Sequence, residues 1–560
     1  MIEGDFMKKV RFRTSGLKLA AVAILCAGAL TGCGNSKSFV FTNTQGPQPI
    51  PVEAPIAVDD KATALGNATL QQAAENGVLV NDTVNGGGII SFDAVSAQGA
   101  TVVLNDDGSF AYTPVFDFTG SDSFQYTLAN ETGESTATVT VNVDGRGLFV
   151  DNSQATNGNG SQASPFNNLA AALTAAEAGD TIFVYAGNGT ATGQTGTFIL
   201  PQGVKLIGQA QGLVAAQTIE PVGNRPVISG TIQPQGDNVI AGLEFNGTSF
   251  AIDAREVSNL TIQNNLFTEL SDDNLKLYNI GESLVVTDNE FVGVGDGDSA
   301  LVLVQQDTNA TVAISENVFT DLDGLAPNRA IDISNGGNSV VEFTVSDNEF
   351  SGNRTLPEQA FEQVISVLAY GAADVTLHCT GNVLSNAADS YGIGVFSQGT
   401  HGIDATISGN TMDGGQVGLN YAWYTDVTDI FVVTIENNNI SNIVEYDIEI
   451  EGYTVSATSK GVFFVRENTT TSTGIDASFA LATYSQTSVC LDIFGNTFAD
   501  DLALVSYGTS SLDVERLDEE DGGPLDKSGV NSVGGDFSAN KYETGTITSR
   551  PAGYCQNQLP

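Results

Sequence analysis

The chain has 560 residues, more than one compact core holds, so at least two folded parts are expected. Asp and Glu number 66 against 20 Lys and Arg, a formal net charge of −46, which repels phosphates and excludes nucleic acid as a partner. Hydrophobic residues at 41% and charged residues at only 15% exclude a disordered chain, and 62 glycines point to many tight turns.

Residues 1–32 read as an export signal. Lys8, Lys9, Arg11, Arg13 and Lys18 give a basic start, and Leu19 to Leu30 is an apolar run too short to span a bilayer with ease. Glu3 and Asp5 sit oddly in such a signal, so Met7 competes with Met1 as the start. Leu30-Thr31-Gly32-Cys33 resembles the lipobox of bacterial lipoproteins. The resemblance implies cleavage before Cys33, lipidation of its thiol and attachment to a membrane. The alternative is an ordinary secretory signal with an incidental cysteine. Gly34 in place of Asp implies, by resemblance to enteric lipoproteins, the outer membrane or cell surface of a Gram-negative bacterium. Residues 33–53 are then the lipidated cysteine and a Pro-containing tether.

Residues 54–143 form one unit. Thr138 to Val143 alternates strictly, the mark of a strand with one buried face, and Asp107-Gly108 is a hairpin signal. With Phe118-Thr119-Gly120-Ser121-Asp122 and Gly77-Val78-Leu79-Val80-Asn81-Asp82, these runs resemble the cadherin-like and Ig-like modules of bacterial surface proteins. The resemblance implies a small β-sandwich spacer. It also implies calcium at the acidic turns, through Asp59, Asp60, Asp82 and Asp122, against the plainer reading of these residues as turn formers.

Residues 147–515 carry a repeat. An Asn is followed two places later by an apolar residue at Asn265, Asn289, Asn317, Asn348, Asn382, Asn410, Asn438 and Asn496, at coil-sized intervals; Asn468 keeps the spacing but has Thr470. The residues five and three before each Asn are apolar, as in Val312/Ile314, Phe343/Val345 and Ala405/Ile407, and period two means strand. A second set of alternating pairs follows, including Leu275/Leu277, Ile331/Ile333 and Ile448/Ile450. No repeat can bury its apolar face alone, so the repeats must stack. The Asn is expected to serve by tolerating left-handed backbone in a tight turn and by bonding from coil to coil. The pattern resembles right-handed parallel β-helices of the pectate-lyase-like superfamily. An all-β fold follows, with about 12 coils behind the sandwich and an N-terminal helix cap at Leu169 to Ala178.

Residues 516–560 read as a C-terminal tail. Cys490 is at an outward position and Cys555 lies in that tail, so a Cys490–Cys555 disulfide is expected to pin it to the last coil, while Cys379 is inward and buried. For chemistry, the outward residues of the second strand matter most. A polysaccharide lyase needs a base, often with calcium. Lys276 or Arg329 as base, with Asp272, Asp273 and Asp332 on calcium, fits that need; solvated rim charges are the competing reading. Tyr278 and Trp423 are candidates for stacking on sugar, Trp423 being equally placed for the core. Three functions follow: a membrane-anchored surface protein binding glycan or another cell, a calcium-assisted lyase or glycoside hydrolase acting on acidic glycans, or a structural envelope protein.

Overall fold

A computed structural model describes residues 52–559, except 215–217, 248–249, 269, 294–298, 321–328, 352–362, 386–390, 425–426, 455–458, 516–531, 534–536 and 542–545. The expected signal, Cys33 and nearly all of the tether lie outside the described residues, as does part of the tail. Strands dominate, with one α-helix among the described residues, and no helix there is long and apolar enough to cross a membrane.

The first module is a β-sandwich. One sheet joins Asp60–Gly66, Gly133–Val150, Gly120–Asn130 and Gly88–Phe92; the other joins Leu70–Gln72, Phe110–Thr113 and Thr101–Leu104. Alternation puts Phe124, Tyr126, Val139 and Val141 on the inner face, where they pack with Phe110 and Tyr112. Asp122 is not a free ligand. It is buried, and it accepts bonds from Ser96 Oγ, Tyr112 Oη (2.6 Å) and the amides of Gln98 and Ser123. These donors hold its carboxyl below the ordinary value against the effect of burial. Asp60 and Asp82 share the Tyr126 hydroxyl at 3.1 and 2.7 Å, and Asp59 accepts the Thr138 amide. The Asp122 carboxylate is thus a buried staple rather than part of a calcium site.

The sequence divides the modules between 143 and 147, yet one strand crosses that boundary. Gly133–Val150 pairs with Gly120–Asn130 as far as Val143, and its end, Gly147 to Val150, pairs in parallel with Thr181–Val184. Arg146 sits at the crossing, 87% buried by its neighbours, with Nε and Nη2 on Asp180 at 3.1 and 2.6 Å and Nη1 on Asp117 at 3.3 Å. Leu65 and Ala68 of the sandwich pack with Phe149, Phe183 and Ile207 of the second module.

That second module is a parallel β-helix. Gly133–Val150 opens a parallel sheet that ends at Thr546–Arg550, with fifteen rungs among the described residues. The count exceeds twelve because six rungs carry no repeat Asn. A typical coil holds three strands, as in Ser258–Gln263, Leu266–Thr268 and Leu275–Tyr278, each paired in register with its counterpart one coil on. Ile314, Val345 and Ile407 are fully buried, as are the second-strand residues Leu277, Ile333 and Ile450. The apolar residue two after each Asn forms a column in which Phe267, Phe291, Phe319 and Phe350 stack, with Phe245, two after Leu243, continuing it one coil earlier; successive ring centroids from Phe245 are 5.2, 4.7, 4.6 and 4.7 Å apart. The spacing is that of adjacent strands. The helix cap is Leu169–Ala175, shorter than expected at its C-terminal end. Asn168 caps it by accepting the Ala171 amide, and Leu169 and Ala172 close the apolar end of the tube.

The Asn ladder bears out half of the expectation: the Asn bonds from coil to coil, but it is not the residue in left-handed backbone. The left-handed residue is the one before each Asn: Asn264, Asp288, Glu316, Asp347, Asn437 and Glu467 have φ between 51° and 57°, and Gly381, Gly409 and Gly495 between 66° and 72°. The Asn itself is the bonding element. Each Nδ2 donates to Oδ1 of the next at 2.9–3.1 Å from Asn265 to Asn496, and each also donates to a strand carbonyl one coil back. Asn468 belongs to the ladder in full.

Cys379 is free and buried; burial pushes its thiol up to about 12. Cys490 and Cys555 are joined in a disulfide. Although Cys490 faces away from the tube, Val462, Phe464 and Tyr554 cover it.

Candidate functional site

The residues singled out for lyase chemistry do not converge. Lys276 Nζ lies 2.8 Å from Asp272 and 3.6 Å from Asp273, over the Phe250 ring. Burial draws its ammonium down, but the two carboxylates more than offset this and hold it above the usual lysine value. It is a poor base. Arg329 pairs with Asp332 of its own coil at 2.9 Å. In the register, Val302 stands between Lys276 and Asp332. Asp273 also accepts the Ser299 amide. The carboxylates proposed for calcium are therefore engaged by cations and amides in two separate pairs. Among the described residues no group of three acidic, His or Cys side chains is placed to hold a metal.

The sugar-stacking candidates fare no better. Trp423 is fully buried at an inward position, packed against Tyr421, Phe431 and Phe463. Tyr278 is partly exposed, but the Arg255 guanidinium covers its ring at 4.7 Å.

A different cluster lies further along the same outer face. In Asn439–Thr454, Ile448 and Ile450 point inward and are fully buried, so Glu449, Glu451 and Tyr453 point outward. The register flanks the two carboxylates with small residues: Asn420 and Ala480 beside Glu449, Ala422 and Ala482 beside Glu451, and Gly394 beside Asn420. A low floor results. Along one side runs a row of half-buried tyrosines, Tyr424, Tyr453, Tyr484 and Tyr507, with ring centroids 5.7, 4.4 and 4.7 Å apart and planes within 7° of parallel. The Tyr453 hydroxyl reaches the floor at Glu451. Tyr391 and Tyr446 stand at the other end of the strands, two coils apart.

The polar contacts are few and directed. Asn420 Nδ2 donates to Glu449 Oε2 at 2.6 Å, and Tyr453 Oη donates to Glu451 Oε1 at 2.9 Å. Asn420 is 4% exposed, and its Oδ1 receives no donor among the described residues. Burial, then the charges of Glu451 and Glu445, push Glu449 up to about 7 against the Asn420 bond. Burial and Glu451 likewise raise the Tyr453 phenol.

A further carboxylate is tucked below this face. Asp447 is buried in the same strand; burial pushes it up to about 6 against the hydroxyls of Ser472, Ser478 and Thr470. Thr470 is where the apolar column breaks in the sequence, and Asp447 supplies the reason: the column turns polar where a carboxylate must be accommodated.

Residues 53–145 match the family model of a bacterial cadherin-like domain. Residues 152–387 match a family described as a protein of unknown function, DUF1565, a span that ends before the tyrosine and carboxylate cluster. No curated protein matches the chain. Among solved structures, the catalytic domain of a GH87 alpha-1,3-glucanase in complex with tetrasaccharides is similar at 12% identity over 89% of this chain and 90% of that one, with a TM-score of 0.23.

Proposed function

We propose that the chain is a surface protein, lipid-anchored through Cys33, that binds glycan along the outer face of its β-helix, with the cadherin-like module as spacer. One observation carries the glycan reading: four stacked tyrosines border a floor of small residues that holds two carboxylates and an amide. Phenol edges and hydroxyls repeated at coil spacing suit a chain of polyhydroxylated rings, with apolar contact and hydrogen bonding from the same side chain. The strand-spaced repeat holds these groups rigidly, so little ordering is needed on binding. Binding is favoured over lyase chemistry because Lys276 is held as an ammonium.

Replacing Tyr453 and Tyr484 together by Ala is expected to weaken retention on an immobilised polysaccharide by about 2 kcal/mol, roughly thirtyfold. Replacing both by Phe keeps the ring stack and tests the hydroxyls alone. A folded Ala variant with wild-type retention across a panel of polysaccharides would remove the glycan reading. Anchoring has its own test. The wild-type protein should partition into detergent, and Cys33→Ser should leave it in the aqueous phase; equal partitioning contradicts lipidation.

A further inference from the structure

We infer that Glu449, Glu451 and Asn420 form a subsite for a protonated amine, so that the glycan taken by this face is a polymer of amino sugars with free amines. The inference rests on the glycan reading above and narrows it.

The argument starts from unfilled valences. Glu449 and Glu451 each receive one hydrogen bond, from Asn420 and Tyr453. Their remaining lone pairs are acceptors. Asn420 Oδ1, buried beside them, is a further acceptor that receives no donor among the described residues. Turning the amide over does not relieve it, because Oδ1 would then face the Glu449 carboxylate at 2.6 Å. The neighbours in register, Ala422, Ala480 and Ala482, bring no donor. Among the described residues no Lys or Arg pairs with Glu445, Glu449 or Glu451.

A ligand complementary to these acceptors has several donors, no acceptor and a positive charge. An ammonium group has three donors and nothing else to offer, and its bonds to carboxylates are charge-assisted. A neutral sugar hydroxyl supplies one donor and brings lone pairs of its own. A uronate brings a further negative charge to a chain that already carries a net −46, which tells against acidic glycans. The tyrosine row supplies what a free cation would not need, a surface for the rest of the sugar ring. That row favours an amine carried on a glycan over one carried on a peptide.

The groups facing Glu449 agree with this. Glu445, Glu451 and Tyr446 share its strand, Tyr391, Tyr424 and Tyr484 face it from other coils, and the residues in register on either side are uncharged. Near neutrality a proton stands where the cation would, so binding of an amine is expected to expel it.

Calorimetric titration of the full chain with a glucosamine hexamer, with the fully N-acetylated hexamer, and with oligolysine tests this. The free-amine hexamer should bind about tenfold tighter than the acetylated one, and Glu449→Gln with Glu451→Gln should bring the two within about twofold. Both Gln side chains are isosteric and outward, and the wild-type unfolding midpoint confirms the fold. Equal affinities for the two hexamers, or a preference untouched by the double substitution, overturn the inference and leave glycan binding standing. No binding of either hexamer overturns the inference, and retention on the polysaccharide panel then decides the glycan reading separately. Oligolysine binding as tightly as the glucosamine hexamer overturns it in favour of a cationic peptide.

Discussion

Asn348→Ala should cost about 3–5 kcal/mol of folding free energy in denaturant titration, the largest effect expected of any single polar substitution here. Asn348 Nδ2 donates to Ile314 O and Asn382 Oδ1, both at 2.9 Å, while its Oδ1 accepts from Asn317 N at 3.1 Å and Asn317 Nδ2 at 3.0 Å. Alanine removes all four bonds. It leaves the Asn317 amide and the Ile314 carbonyl buried with no substitute, and each costs about 1–3 kcal/mol when orphaned. The methyl group also leaves a gap where an amide stood. Ser346→Ala, two places earlier on the outer face, is the control and should stay within about 0.5 kcal/mol. A loss below about 1 kcal/mol at Asn348 would mean that the ladder follows from the stacking rather than holding it.

The second large effect is at the C-terminal end. Cys490–Cys555 closes a loop of 65 residues, and on the chain-entropy account its loss costs about 4 kcal/mol. The bond does not act alone. Glu515 is fully buried and accepts the Gly553 and Cys555 amides at 2.7 and 2.6 Å, Arg550 pairs with Asp513 at 2.8 Å, and Lys460 donates to Gln558 at 2.7 Å. These contacts lay residues 551–559 over the last rungs, of which Thr546–Arg550 is itself the final one. In Cys490→Ser, amides of residues 553–558 should exchange early and the unfolding midpoint should fall. Reductant should do the same to the wild type and to Cys379→Ser, which keeps the disulfide, whereas Cys490→Ser should not respond to reductant. An unchanged exchange pattern in Cys490→Ser would assign the clasp to Glu515 and Arg550 instead.

Much of the coil was legible because its signal is local. Ile314, Val345 and Ile407 are placed by period two within a single strand, and Phe267, Phe291, Phe319 and Phe350 by their fixed distance from an Asn. The nine-membered ladder was legible for the same reason. Its coil-to-coil bonding was legible too, but the residue that takes the left-handed turn was not: Glu316 and Glu467 hold positive φ, and nothing in a glutamate advertises that conformation. Trp423 follows the alternation of Leu419 and Tyr421 into the core; the alternation gave its side, while the length of the strand, which decided the matter, depended on pairing with neighbouring coils. The lyase constellation was misjudged because Lys276 is satisfied within its own coil by Asp272, a pairing that local spacing already allowed.

The carboxylate and tyrosine face is the larger omission. Once Ile448 and Ile450 are set inward, Glu449 and Glu451 must point out, so half of the site was within reach. The other half needs knowledge of which residues stack on them. Variable loops between coils hide that Ala480 and Ala482 sit beside the carboxylates, and that Tyr424, Tyr453, Tyr484 and Tyr507 fall into one row. The Tyr424, Tyr453 and Tyr484 recurrence at coil-sized intervals was the available signal. Thr470 was a further one: a polar residue in an apolar column pointed to a buried polar neighbour, which is Asp447.

Where on the helix a glycan rests decides between the two outer-face regions. Hydroxyl-radical footprinting of the full chain, with and without a saturating amount of whichever oligosaccharide binds it, reads this directly. Protection is predicted at Tyr424, Tyr453 and Tyr484 with none at Tyr278. Protection centred on Tyr278, with the tyrosine row still oxidised, would contradict the assignment.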